Sequence, residues 1–204
     1  MTRSTRLLLV GGILAAPLFI GSWAVQALTR EGFRPTFHPL SLLSLGEGGW
    51  VQIATFIATG LLLVGAAIAG RHAWTGRCSA VLVGLMGAAL VISGVFVADA
   101  GAGFPAGAPE GAPRLSWHGA VHEVGFLLTQ LAFVALTVVL AVRSGRARRR
   151  GWMIASIAAL LAAVGVVAVG APETMAIRLV ASSAVELGFV AALAVSGLRR
   201  IGGV

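Results

Sequence analysis

Charge is scarce in this sequence: 11% of its 204 residues are charged, and only seven are acidic. Lysine is absent, so all 15 basic residues are arginine. Cysteine occurs once, as Cys78, which excludes an intrachain disulfide and any CxxC metal or redox motif. No internal repeat is visible and only Pro17 interrupts a span, which argues against the paired, broken-helix halves of a carrier. What is abundant is apolar: 58% of residues are hydrophobic, the mean hydropathy is +0.96, and 28 residues are glycine. Soluble domains do not have that composition. Polytopic helical membrane proteins do, and one domain over residues 1–204 is expected. The net charge of +8 does not point to nucleic acid, because the arginines lie in short loops, where they set topology.

A helix needs about 20 apolar residues to span a bilayer. Six runs qualify, and they predict helices over about 7–28, 50–70, 79–98, 116–142, 152–170 and 175–198. The predicted fold is therefore all-α, a transmembrane bundle of six helices. The first run resembles a secretory signal, but its length and the spans that follow favour a retained helix, kinked at Pro17. With the N-terminus inside, Arg3, Arg6, Arg71, Arg77, the five arginines of 143–150, Arg199 and Arg200 all lie on one face. That is eleven of the 15. Both termini are then cytoplasmic and the protein belongs in the cytoplasmic (inner) membrane. The first external loop, Thr29–Gly49, is too apolar for a solvated linker at Leu40, Leu42, Leu43 and Leu45. It predicts an interfacial or re-entrant segment over the bundle.

A titratable side chain in hydrocarbon costs roughly 2.5–3.5 kcal/mol on insertion scales, so such residues line cavities, pair, or bind something. The stretch Ser116–Gln130 carries His118, His122 and Glu123 in its first two turns, after Ser116 as N-cap. His118 and His122 stand four apart on one helix face, the spacing of a shared divalent metal such as zinc. Further ligands would come from His38, Asp99 or Glu173 at the same boundary. The competing reading is that the imidazoles simply bond carbonyls in the bundle. Glu123 lies about 100° from His122 and, with Gln130, marks a second inward face. On the sixth helix Arg178, Ser182 and Glu186 form one stripe, with Glu186 deep in the membrane. Gln52, Thr55 and Thr59 share a face of the second helix, suited either to helix–helix bonding or to lining a pocket.

These groups predict an outer-half polar pocket between the second, third, fourth and sixth helices, covered by the His38 loop. Trp50, Gln52, Trp117, Phe126, Arg178 and Ser182 are its candidate lining. Glu123, Glu186 and Asp99 are its candidate acids and bases, and His118, His122, His38 and Asp99 its candidate metal ligands. Haem is excluded, since His118 and His122 share one face and His72 lies at the other membrane surface. No nucleotide is expected.

The run TREGFRPTFHPLSLLSLGEGGWVQIATFIATGLL, Asp99 followed by GAGFP, and SWHGAVHE at Ser116–Glu123 resemble the domain of unknown function 998 family. That resemblance implies a bacterial or archaeal membrane protein of about six helices, without an activity to transfer. A looser similarity is to the alkaline ceramidase and progestin-receptor-like membrane hydrolases, which hold zinc with a HxxxH pair. It implies a metal-dependent hydrolase of lipid or another apolar substrate, here with the pair on the fourth helix. Two alternatives stand beside it: a metal-free, acid-initiated prenyl or terpene cyclase, and a non-enzymatic lipid or small-molecule binder, carrier or subunit.

Overall fold

The computed structural model describes residues 2–74 and 76–202. Its helices are α1 (Arg3–Thr29), α2 (Gly49–Ala73), α3 (Arg77–Val95), α4 (Trp117–Arg146), α5 (Arg150–Ala168) and α6 (Met175–Gly202). All six are long and apolar enough to cross a membrane, so this is a multi-pass, all-helical membrane protein. Local chemistry starts the helices where expected. Thr2 accepts a bond from the Thr5 amide to cap α1, and Ser116 accepts one from the Gly119 amide to cap α4. α1 continues unbroken past Pro17. α3 stops at Val95, short of the predicted Ala98, and the chain runs extended from Phe96. Its last carbonyls are taken up by side chains of α4, as described below.

The helices form a ring in chain order. Each packs on the next, and α6 closes back on α1, while the backbones of α4 and α6 stay apart and meet only through side chains such as Phe133 and Phe189. The closest seam is α2 against α3. A Cβ on Gly60 would lie 2.5 Å from the Gly87 carbonyl oxygen, and one on Gly87 equally close to that of Gly60. Only glycine allows those backbones to meet. The α1–α2 seam is polar instead. Ser22 and Thr55 share a 2.7 Å hydrogen bond, and the Gln26 amide donates to Gln52 Oε1 at 2.8 Å. The face of α2 that bears Gln52 and Thr55 therefore bonds a neighbouring helix.

Leu9, Leu63, Leu136, Leu140 and Val190 fill the ring toward the arginine-rich end. At the opposite end the first loop folds as a 3-10 turn over Leu40–Ser44, with Leu42 and Leu43 buried beside Phe33 and Phe104. Arg30 ties this cap together. Its guanidinium donates to the Leu43 carbonyl and lies 5.7 Å from the Phe104 ring. Between the cap and the filled half the ring encloses a void.

Candidate functional site: a side-opening cavity

The void has a volume of about 280 Å³. Its walls come from Phe19 of α1, Phe56 of α2, Met86, Leu90 and Ser93 of α3, residues 119–130 of α4 and residues 179–187 of α6. Pro39–Leu42 and parts of 98–115 roof it, and among the described residues α5 contributes nothing. Of the lining, Glu123 and Phe126 of α4 and Pro39, Pro113 and Leu115 at the rim of the roof are exposed, and Gln130, Leu179 and Ser183 partly so. The mouth therefore opens sideways between α4 and α6, where those helices part. The pocket expected between the second, third, fourth and sixth helices under the first loop is present. Its walls are mostly hydrocarbon rather than polar, and α1 joins them.

His122 is the best-defined polar group in the wall, 3% exposed. Its Nδ1 lies 2.9 Å from both the Ser93 and the Phe96 carbonyl oxygens. A carbonyl only accepts, so Nδ1 carries the hydrogen and donates to the end of α3. With Nδ1 the donor, Nε2 is the ring atom left for a further partner, and His122 lines the cavity. Glu186, also 3% exposed, accepts a bond from the Ser182 hydroxyl at 3.0 Å, and Gln130 reaches the same carboxyl across from α4. At 1.5 Å per residue Glu186 stands roughly 16 Å along α6, near mid-membrane, and forms the floor. Glu123 stands at the mouth.

The proposed metal centre does not assemble. Among the described residues no three His, Cys, Asp or Glu side chains gather within reach of one ion. His38 is buried outside the cavity with both nitrogens engaged. The Arg34 amide donates to Nδ1 at 2.9 Å, so Nε2 carries the hydrogen and donates to Ala102 O at 3.1 Å. Burial, with the Arg34 charge adding to it, holds this imidazole below the usual histidine range. Both Asp99 oxygens accept bonds from Ser116, from its amide and from its hydroxyl, each at 2.7 Å. Those bonds hold the carboxyl below its usual range. His118 lies outside the cavity, donating Nδ1–H to Val97 O at 3.1 Å, and its Nε2 is 3.9 Å from Asp99. Glu173 is exposed in the Pro172–Thr174 turn. His122 of the HxxxH pair thus caps the end of α3, and His118 holds the chain just beyond it. These residues do not fit a shared ion, and no step is derived through one.

Several lining expectations also change. Trp50 and Trp117 are 71% and 73% exposed and project outward, as aromatic anchors do. Gln52 faces Gln26. Arg178 leaves the predicted stripe and donates to the Val167 and Ala171 carbonyls at 2.8 and 2.7 Å, capping α5. Ser182 reaches the site through Glu186, while Phe126, Glu123, Glu186, Asp99 and His122 do line it. Phe19 and Phe56 were not foreseen. Phe56 follows Gln52 by one helical turn, a signal that pointed inward.

A family model for "Protein of unknown function (DUF998)" matches residues 13–198. The chain belongs to the DUF998 family. No curated protein and no solved structure matches it. The match spans all six helices of this DUF998 protein, and both the cavity and its roof lie inside it.

Proposed function

We propose that this DUF998 protein admits an apolar small molecule or lipid from the bilayer and holds it in the cavity by one polar group. One observation carries the reading: a void walled by hydrocarbon opens laterally between α4 and α6 and ends on a buried carboxyl. Its volume of about 280 Å³ approaches the roughly 300–1,000 Å³ of small-molecule sites. A sideways mouth faces acyl chains, so the ligand need not cross water. The arginine bias supports a position for the cavity in the outer half of a cytoplasmic membrane.

The test is lipid analysis of protein purified in mild detergent, beside a Ser183→Trp variant that fills the mouth. The wild type should retain a near-stoichiometric apolar molecule that the variant lacks. Equal retention by both would mean surface lipid only and would end the reading.

A second reading has its own support, since Phe19, Phe56 and Phe126 surround the same void as Glu186 and His122. Protonated Glu186 can add its proton to a ligand alkene. The aromatic faces can stabilise the resulting carbocation, and Nε2 of His122 can remove a proton from the neighbouring carbon. The sum is an isomerisation or cyclisation with no other reactant. Bound lipid should then acquire carbon-bound deuterium in D₂O with wild type and not with Glu186→Gln. Equal labelling in the two proteins would remove this chemistry.

A further inference from the structure

The polar atoms that face the cavity are unevenly divided between donors and acceptors. The Ser93 hydroxyl donates to the His122 carbonyl, Thr129 to Gly125 and Ser183 to Leu179, at 3.3, 3.0 and 3.0 Å. The imidazole N–H of His122 is engaged with α3. The Ser41 hydroxyl and the Gln130 amide also line the cavity and can donate, but its ionisable groups are acceptors or acids: His122, Glu123 at the mouth and Glu186 on the floor. Charge is equally lopsided. Asp99, Glu123 and Glu186 all line the cavity, and among the described residues no arginine does. Of the two arginines that adjoin lining residues, Arg178 is tied to the end of α5, and Arg114, between Pro113 and Leu115, lies exposed on the outside of the roof.

We infer that the cavity selects a lipophilic amine, an apolar body whose ammonium head sits among Glu186, Glu123 and Nε2 of His122. The inference rests on the cavity being a site for an apolar molecule and adds the chemistry of that molecule's polar end. An ammonium is donor-only, the complement of a lining whose ionisable groups are three acids and His122, with no arginine. It brings the positive charge that carboxylates inside a membrane otherwise lack, and the faces of Phe19, Phe56 and Phe126 favour a cation further. A fatty acid or phosphate ester would meet three acidic side chains and no arginine.

The test uses protein in phosphatidylcholine nanodiscs and three radiolabelled probes of equal chain length: decylamine, decanol and decanoate. Empty nanodiscs correct for partition into lipid. Decylamine should bind at least about tenfold tighter than decanoate, with decanol between them, because a charge contact in this setting is worth several RT. Glu186→Gln should weaken decylamine by about fivefold or more and leave decanol nearly unchanged. Glu123→Gln, exposed and neutral to folding, should give a smaller loss of the same kind, and it carries the test if Glu186→Gln does not fold. Saturable binding of decanol and decanoate without amine preference would overturn this inference alone. So would an unchanged preference in both variants. Saturable binding of none of the three would overturn the cavity reading with it.

Discussion

The bonds between Asp99 and Ser116 can be isolated by a double-mutant cycle, and their removal should loosen the roof of the cavity. Asp99→Ala deletes two charge-assisted bonds of 2.7 Å at the start of α4. Such bonds contribute about 1.5–3 kcal/mol each. The Asp99 side chain keeps 12% of its surface exposed, so the lower end applies, and the loss should be about 3 kcal/mol. Ser116→Ala removes one of the same bonds together with the cap on the Gly119 amide, the cap being worth about 1 kcal/mol. It should cost about 2.5 kcal/mol. The double variant loses the shared hydroxyl–carboxylate bond only once, so the coupling energy should be about 1.5 kcal/mol. Reversible unfolding in mixed micelles, followed by helix signal, measures all four proteins. The pH dependence fixes the cause. The folded Asp99 carboxyl titrates below the ordinary 3.8, so its contribution is complete above that value. It is lost as pH falls through the lower folded value. Coupling within about 0.5 kcal/mol of zero at neutral pH would refute the argument. So would coupling that persists once the carboxyl is protonated.

Three further outcomes follow from the packing. Gly60→Ala should cost about 1–3 kcal/mol by overpacking the α2–α3 seam, whereas Gly188→Ala, with open space around it, should be neutral or slightly stabilising in the same unfolding assay. His38 is held neutral between Arg34 and Ala102, with its folded pKa below the ordinary 6.5. The unfolded chain therefore binds the extra proton first, and stability should decline as pH drops below 6.5 until the folded value is reached. A His38→Phe variant should show a flatter stability profile over that window. Arg178→Met removes two charge-assisted donors from the end of α5 and should cost about 2–4 kcal/mol. Faster amide exchange at the α5–α6 turn would localise that loss.

The number of helices was legible because apolar length is a property of local sequence. So was the cap at Ser116, where a hydroxyl before an apolar run has one obvious task. The cavity was half legible. Its titratable residues announced themselves as misfits in hydrocarbon, and Glu123, Glu186, His122, Asp99 and Phe126 do line it. Its apolar walls could not stand out, since Phe19 and Leu90 look like any other core residue. The HxxxH spacing misled for a physical reason. Two imidazoles on one helix face can share an ion, but they can equally serve two carbonyls on the neighbouring helix, and the sequence contains no statement of where α3 ends. Arg178 misled in the same way, because the carbonyls it caps belong to another helix.

A common rule connects these cases. Inside a bilayer no water satisfies the last carbonyls of a helix, so side-chain donors must do it. α3 ends early and takes its donor from His122, His118 serves the extended chain just beyond it, and α5 takes its own from Arg178. The ends of α3 and α5 thus absorb strong donors close to the cavity: the His122 N–H and the Arg178 guanidinium. Carboxylates cannot serve a carbonyl, since both only accept. Asp99 finds the amide and hydroxyl of Ser116, while Glu123 and Glu186 remain beside the void. The acceptor-rich character of the cavity is therefore a consequence of how the helices are terminated. It also means that changing a cap should change the site. His122→Phe would free the α3 carbonyls of Ser93 and Phe96, adding acceptors while deleting Nε2. If ligand selection arises from this division of donors and acceptors, that variant should lose affinity for the ammonium contact and keep its preference for amine over carboxylate. A reversal toward decanoate would show that the selection has another origin.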